Sequence, residues 1–376
     1  MTDVIAEIAT GVCALDAAQW DRLNASGNPF VGHPFLCALE QSGSIGPGTG
    51  WSAAPIAIRD DAGVLAGVLP AYLKTHSQGE YVFDHGWADA YERAGGRYYP
   101  KLQIASPFSP VPGPRILARD ERTAGQLLQA AQSVVLENGL SSAHATFVDE
   151  AQLPLFQDAG WLIRSGTQFH WTNADYADFD AFMATLASRK RRAIRKERAA
   201  AQAAVEIEIL RGGQIKPHHM DAFWLFYQDT GMRKWGRPYL TRAFFDLVAE
   251  SLRDSIVLFL AHRNGHPVAG ALNLLGPDCL YGRYWGCTED IPFLHFELCY
   301  YQAIDFAIAH GLARVEAGAQ GEHKLARGYL PTTTWSAHYI ADPGFRAAVA
   351  DFLERERRAV EREQSFLEEL GPFKRG

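Results

Sequence analysis

The sequence repeats itself, and the repeat limits the folds open to it. Ile58-Arg-Asp-Asp-Ala-Gly-Val-Leu-Ala-Gly-Val-Leu69 recurs as Ala261-His-Arg-Asn-Gly-His-Pro-Val-Ala-Gly-Ala-Leu272, which aligns Ala66-Gly67 with Ala269-Gly270 at an offset of 203. Upstream, His33-Pro-Phe-Leu36 aligns with Arg237-Pro-Tyr-Leu240 at an offset of 204. Downstream, Glu137-Asn-Gly-Leu140 and Ala309-His-Gly-Leu312 each close a helix-like run. Phe156-Gln-Asp-Ala-Gly-Trp161 and Leu325-Ala-Arg-Gly-Tyr329 follow them. These later pairs keep offsets of 172 and 168. Four features in one order imply two copies of one architecture. The drop in offset places an insertion in the first copy, read as residues 79–114, dense in aromatics, glycine and proline.

Each copy reads as helix, hairpin, strand, helix, strand, strand, which makes the chain a mixed α/β protein. In the first copy, Leu36–Gln41 is helical, Pro55–Ile58 pairs with Val64–Tyr72, and Ala124–Asn138 is an amphipathic helix stopped by Gly139. Ala143–Val148 and Gly160–Arg164 are strands. In the second, Ser255–His262 and Val268–Leu275 pair around Asn264-Gly265, a strong hairpin turn. Cys279–Trp285 and Ala313–Ala317 are strands flanking a helix over Leu294–Ala309. The domains are expected at 1–173 and 174–376. Asn173–Ala204 links them, and a charged helix over Pro343–Leu370, capped by Asp342, ends the chain.

Bulk properties exclude several classes. Hydrophobic residues at 47% are ample for two cores. No apolar run reaches the roughly 18 residues of a membrane span. The N-terminus lacks the basic start and long apolar stretch of a signal peptide, so a cytoplasmic setting is expected. Cysteines 13, 37, 279, 287 and 299 are odd in number and form no Cys-x-x-Cys pair; they read as reduced thiols rather than disulfides or a zinc site. Residues 1–173 hold 10 Lys/Arg against 17 Asp/Glu, and residues 174–376 hold 26 of each, so any polyanion must use a local basic patch. Gly-Lys-Ser/Thr, Gly-x-Ser-x-Gly and His-Glu-x-x-His are absent, and no metal is expected.

With these residues in view, the tandem pattern resembles two GNAT acyltransferase folds in a Fem-like arrangement. More closely, it resembles the proteobacterial FemAB-like family, of the peptidoglycan biosynthesis or recognition type. The stretches that carry the resemblance are Gly79-Glu-Tyr-Val-Phe-Asp84, Tyr98-Tyr-Pro-Lys-Leu-Gln103, Pro107-Phe-Ser-Pro-Val111, Arg233-Lys-Trp-Gly-Arg-Pro-Tyr-Leu240 and Glu316-Ala-Gly-Ala-Gln-Gly-Glu-His-Lys-Leu-Ala-Arg-Gly-Tyr-Leu-Pro331. The resemblance implies a transferase moving an acyl or aminoacyl group to an amine, on a cell-wall precursor or a small metabolite. It implies no tightly bound cofactor; the donor is an aminoacyl-tRNA or an acyl-CoA. Two alternatives stand beside it: an acyl-CoA or acyl-carrier-protein N-acyltransferase, and a non-catalytic protein that recognises a cell-wall precursor. CoA-using GNAT enzymes carry a Gly-rich turn whose amides hold pyrophosphate. Here that turn reads Gly286-Cys-Thr-Glu-Asp-Ile-Pro-Phe293, with no such cradle and two acids, which favours a Fem-like donor. Oligomeric state is left open.

Amine acylation needs a proton acceptor and a stabilised oxyanion. Glu316, at a strand end, is the first candidate base or acceptor ligand. Glu297 and His295 stand in the first turn of the helix that precedes that strand; they read either as further catalytic groups or as a dipole-compensating acid and a packed histidine. Arg283 and Trp285 on the central strand, and Glu322, His323, Lys324 and Arg327 beyond Glu316, are candidate substrate contacts. The insertion adds Asp84, Tyr98, Tyr99 and Lys101 as an acceptor pocket. Arg191, Arg192, Arg195 and Lys196 lie on one half of a basic helix and are the candidate phosphate or tRNA contacts. Lys190 falls on the helix's apolar side.

Overall fold

The computed structural model describes residues 5–235, 238–318 and 321–374, and leaves the side chains of 231–235 and Glu322 undescribed. In chain order the elements used below start with the hairpin β1 (Ile56–Arg59) and β2 (Leu65–Leu69), then β3 (Ala71–Lys74), α1 (His85–Arg93) and β4 (Lys101–Ile104). Next come α2 (Glu121–Glu137), β5 (Ser142–Val148), β6 (Leu162–Thr172), α3 (Ser188–Ala204) and α4 (Pro217–Trp235). The second hairpin is β7 (Ile256–Arg263) and β8 (His266–Leu275), followed by β9 (Cys279–Cys287). A helical run over residues 294–309, α5, leads to β10 (Arg314–Glu316), β11 (Leu330–Ile340) and α6 (Pro343–Glu369).

The chain forms two compact units: residues 1–166 with 333–362, and residues 167–332 with 363–376. Sequence order alone places 333–362 in the second domain. Strand pairing explains the difference. In the first unit β4 and β5 run parallel, and β11 pairs antiparallel with β5. In the second, β9 and β10 run parallel, and β6 pairs antiparallel with β10. Each unit therefore takes its closing strand from the other half of the sequence.

In the first unit, one face of β3–β4–β5–β11 presents Ala71, Leu102, Ile104, Ala143, Ala145 and Ala337 to α2, whose Leu127, Leu128, Ala131 and Val135 complete the core. Asp120 caps α2 through the Thr123 amide at 2.7 Å, and Gly139 follows in the left-handed region at φ 60°. The run read as one strand over 64–72 is broken at Pro70, so β2 pairs in a separate four-stranded sheet and β3 joins the larger one. The insertion is not irregular throughout; it holds α1 and β4.

In the second unit, Glu206–Arg211, β7, β8, β9, β10 and β6 are hydrogen-bonded in that order. Asn264 (φ 53°) and Gly265 (φ 75°) make the left-handed hairpin turn that the sequence predicts. The Ala-Gly dipeptides that opened the repeat are not equivalent, however. Ile58 pairs with Gly67, whereas Ala261 pairs with Ala269, so the second hairpin is shorter by one residue. A one-residue slip turns a side chain to the other face. Accordingly a Cβ on Gly67 would meet Leu127 of α2, and one on Gly270 would meet Phe223 of α4. Among the described residues no helix is long and apolar enough to cross a membrane.

The thiol expectation is corrected at one pair. Cys13 and Cys37 form a disulfide with Cα atoms 5.0 Å apart. The helix His33–Gln41 brings Cys37 beside the turn Val12–Ala14, and Glu40 of that helix accepts from the Val12 and Cys13 amides at 2.7 and 3.1 Å. Spacing of 24 residues carried no hint of this proximity. The bridge also removes cysteine usage as an argument for a reducing compartment. Thiol titration of the unfolded, unreduced protein is expected to return three groups, Cys279, Cys287 and Cys299. Five would refute the bridge. By loop-closure entropy, reduction should cost about 3 kcal/mol, read as a lowered thermal midpoint.

Candidate functional site

In the second unit the parallel pairing of β9 with β10 covers only Cys279–Tyr281 against Arg314–Glu316. Beyond Glu316 the pairing with β10 ends, and β9 continues to Cys287 along β8. At the parting, Leu272 pairs with Tyr284 and Asn273 with Gly282, so Arg283 is the extra residue of a bulge. Bulges of this kind re-aim side chains and interrupt a ladder. Gly282 keeps the parting open: a Cβ there would come within 3.3 Å of Asn273 Oδ1 and 3.5 Å of the Glu316 carbonyl.

Glu316 is 5% exposed. Burial lifts its carboxyl from the ordinary 4.5 to about 7, against the pull of Arg314, which donates at 3.2 Å, and of Arg283. Its Oε2 has no hydrogen-bond partner among the described residues. In register beside it stand Tyr281 on β9 and His170 on β6. Burial, helped by Arg314 and Lys324, drives His170 down to about 3, so its ring is neutral. Lys324, buried and facing Arg283, falls to about 7 and donates to the Gly318 carbonyl at 2.6 Å. A half-ionised carboxylate beside neutral imidazole can accept a proton near neutral pH.

The other candidates separate into structural and open groups. Glu297 is fully buried, and its oxygens accept from Arg198 at 3.1 and 3.2 Å, Gln202 at 2.9 Å and Gln302 at 2.8 Å. It begins a π turn, Glu297–Tyr301, within α5 and ties that helix to α3. So filled an acceptor is a strut rather than a base. Glu297→Gln should lower stability by about 1–3 kcal/mol, seen as a reduced denaturant midpoint, and leave the pH profile of any activity in place. A displaced profile would return Glu297 to the chemistry. His295 packs among Trp285 (5.2 Å), Tyr300 (5.4 Å) and His323 (6.2 Å), and His323 Nε2 lies 2.8 Å from the Tyr300 hydroxyl. Arg327 is held by Glu197 at 2.9 and 3.0 Å, Tyr301 at 3.0 Å and the His323 carbonyl at 2.7 Å, over the Phe296 ring. The Glu322 side chain lies outside the described residues. Arg191 folds back onto the Leu186 carbonyl at 2.8 Å, while Arg192, Arg195 and Lys196 face outward.

The first unit brings Asp84, Tyr98 and Lys101 together in a buried layer, with Tyr99 half-buried beside them and its hydroxyl 2.8 Å from Ser77. Opposite α2, its sheet presents Tyr72, Lys74, Lys101, Gln103, Ser142, His144, Thr146, Ser336 and His338, all buried. Lys101 Nζ donates to Glu80 and Ser77 at 2.8 Å and to Asp84. The chain runs on through Tyr98 to Asp84 (2.7 Å), His144 to Tyr98 (3.2 Å) and His338 to His144 (2.7 Å). Burial raises Glu80 to about 7 despite Lys101, and lowers Lys74 to about 7 despite Glu80. Trp87 of α1 closes the layer over His338 at 4.9 Å.

The two units match residue for residue here. Gln103, His144 and His338 stand in one row, as Tyr281, Glu316 and His170 do in the other. The 168-residue offset that carries Trp161 onto Tyr329 also carries His170 onto His338. Sequence reading missed Lys74, Glu80, His144, His170 and His338; the period-2 alternation Ser142-x-His144-x-Thr146 was the available signal.

A FemAB-like family profile, described as peptidoglycan biosynthesis/recognition, matches residues 11–375. The crystal structure of FemX is similar over 89% of this chain and 98% of its own, at 12% identity and a TM-score of 0.55. The C-terminal DUF2156 domain of a putative lysylphosphatidylglycerol synthetase from Agrobacterium fabrum is similar over 91% of this chain and 96% of its own, at 10% identity and a TM-score of 0.55. L-PGS from Bacillus licheniformis covers 87% and 98%, at 8% identity and a TM-score of 0.51. At such identities the likeness is one of fold, the tandem GNAT-like α/β arrangement. No curated protein matches the sequence. With a profile that spans both repeats, the chain belongs to the FemAB-like family, whose description is peptidoglycan biosynthesis and recognition.

Proposed function

We propose that the second unit transfers an acyl or aminoacyl group to an amine, with Glu316 as general base. The observation that carries this is the Glu316 carboxyl, buried, raised to about 7 and with one oxygen that no described residue hydrogen-bonds, where β9 and β10 part. The acceptor nitrogen attacks the donor carbonyl. Its proton passes to Glu316, the C–N bond forms, and the ester or thioester bond to the carrier breaks as the carrier takes up a proton. Arg283, the extra residue of the bulge, is the cation we assign to stabilise the oxyanion.

Family membership supports an acceptor on a cell-wall precursor. An aminoacyl-tRNA is the donor we favour. The turn over residues 286–293 has no glycine-rich cradle, and its Glu289 pairs with Arg263 at 2.9 Å. One fold neighbour is named for a lysyl group on a lipid, which fits an aminoacyl donor. A tRNA donor sets the reaction in the cytoplasm. The test is native mass spectrometry with acetyl-CoA, long-chain acyl-CoA and aminoacyl-tRNA in competition. A 1:1 tRNA adduct is expected. A CoA adduct alone would replace this donor with an acyl thioester, and ligand binding with no turnover by any donor would mark a recognition protein.

A further inference from the structure

In the first unit, residues 75–84 run from β3 to α1 without helix or strand and lie over part of the buried layer. On the sheet beneath, Trp51 is the register partner of Lys74, Lys74 of Lys101, and Tyr72 of Gln103, so these side chains form one contiguous patch. Glu80 reaches down from the cover between the two ammonium groups, 2.8 Å from Lys101 and 3.9 Å from Lys74. Asp84, the other carboxyl on Lys101, belongs to the start of α1 and is held there by Tyr98 as well.

This covered arrangement is unfinished. Trp51 Nε1, the Tyr72 hydroxyl, Gln103 Oε1 and Glu80 Oε1 are buried with no hydrogen-bond partner among the described residues. Lys74 is fully buried, yet its ammonium makes one hydrogen bond among them, to the Gln78 carbonyl at 3.2 Å. Protein interiors pair such groups, and each orphan destabilises the fold. The cover is strained as well. Gly79 (φ 81°) and Tyr81 (φ 61°) are left-handed, an outlier for a side chain as bulky as tyrosine and a feature of clamps and switches. Gly79 rests on the indole: a Cβ there would stand 3.5 Å from Trp51 Nε1. Lifting the cover frees that N–H and withdraws Glu80, which leaves Lys74 and Lys101 facing Asp84 alone. A ligand that completes the patch then needs one carboxylate for the ammonium groups, a carbonyl for Trp51 or Tyr72, and an N–H for Gln103.

We propose that Glu80 is a latch: from a cover that opens, its carboxylate fills a seat between Lys74 and Lys101 that belongs to the carboxylate of an N-acylated amino acid or a peptide C-terminus. The proposal does not rest on acyl transfer, because binding is read without turnover. Its test is calorimetric titration of the full chain with N-acetylalanine, N-acetylalanylalanine and the C-terminal amide of that dipeptide. Saturable 1:1 binding of an acid is expected, with the amide weaker by at least about tenfold. E80Q should bind the acid at least about fivefold tighter, since the latch no longer competes for the seat. K74M should bind it at least about tenfold more weakly. A tighter dipeptide would identify a peptide terminus as the source, and a tighter N-acetylalanine a free N-acyl amino acid; either supports the seat. Hydrogen exchange gives a second reading: adding the acid to the wild type should speed exchange at residues 77–83 and leave 102–104 unchanged, as it should in E80Q without ligand. The E80Q and amide arms decide the matter even where K74M does not fold. No saturable binding to wild type or E80Q, equal binding of acid and amide, unchanged affinity in E80Q, or slowed exchange of the cover on adding the acid overturns the proposal.

Discussion

Glu316→Gln should lower kcat/KM by about 10²–10⁴-fold and at the same time raise the thermal midpoint at pH 8. The first effect is the usual contribution of a positioned general base. The second follows from linkage. Glu316 titrates near 4.5 when exposed and near 7 in the fold. Between those values the folded protein holds a proton that the unfolded chain has lost, so stability falls as pH rises from 4.5 to 7, and the loss is complete above 7. At about 1.4 kcal/mol per unit, the cost at pH 8 is of the order of 3 kcal/mol. Glutamine keeps the volume and has no charge to bury. The variant's stability should therefore lack this slope, while at pH 4.5 wild type and variant should melt together. Thermal melts from pH 4 to 8, with turnover of the donor found by mass spectrometry, check both halves. Full turnover in Glu316→Gln would remove it as the base and favour the recognition reading. A variant no more stable at pH 8 would mean that Glu316 finds, as a carboxylate, a partner that repays its burial.

The repeat was legible because hairpins, glycine stops and aromatic strand ends are local signals. The Asn264-Gly265 turn, the α2 stop at Gly139 and the strand bearing Glu316 all formed where expected. What was not legible depends on long-range pairing. Cys13 meets Cys37, and β11 leaves its own repeat to close the first unit, through contacts with no sequence signature. The Ala-Gly motif misled by one residue because a turn shortened beneath it. Polar alternation in β5 reads as a solvent-facing strand, and the inserted α1, with Val349 and Leu353 of α6 packed against Trp87 and Tyr98, converts that face into an interior. Glu297 shows the reverse: a helix-start glutamate looked chemical until Arg198, Gln202 and Gln302 filled its oxygens.

Lys101→Met should be the most destabilising single change in the first unit, by about 3–5 kcal/mol, because it leaves two buried carboxyls without their shared cation. Lys101 is fully buried and holds Glu80 at 2.8 Å as well as Asp84 and Ser77. Burial alone would raise Asp84; Lys101, followed by His144, reverses that and holds it below the usual carboxylate range. In the wild type, then, Asp84 contributes stability above its unfolded value of 3.8, which is lost only as pH falls through its lower folded value. Removing Lys101 inverts the sign. Asp84 becomes a buried acid with a raised pKa, Glu80, already raised to about 7, is pushed further up, and stability falls as pH rises. The gap between variant and wild type should accordingly be narrower at pH 4, where it is chiefly the lost Asp84–Lys101 pair, and widest at pH 8. Lys74 cannot fill the place, since its ammonium is 3.9 Å from the other Glu80 oxygen and burial has already lowered it to about 7. Adding Glu80→Gln to Lys101→Met removes one orphaned charge and should recover part of the loss at pH 8. Denaturant melts of both variants at the two pH values decide it. A penalty independent of pH would mean that Lys101 acts through packing alone, and that this buried layer carries no charge pair at its centre.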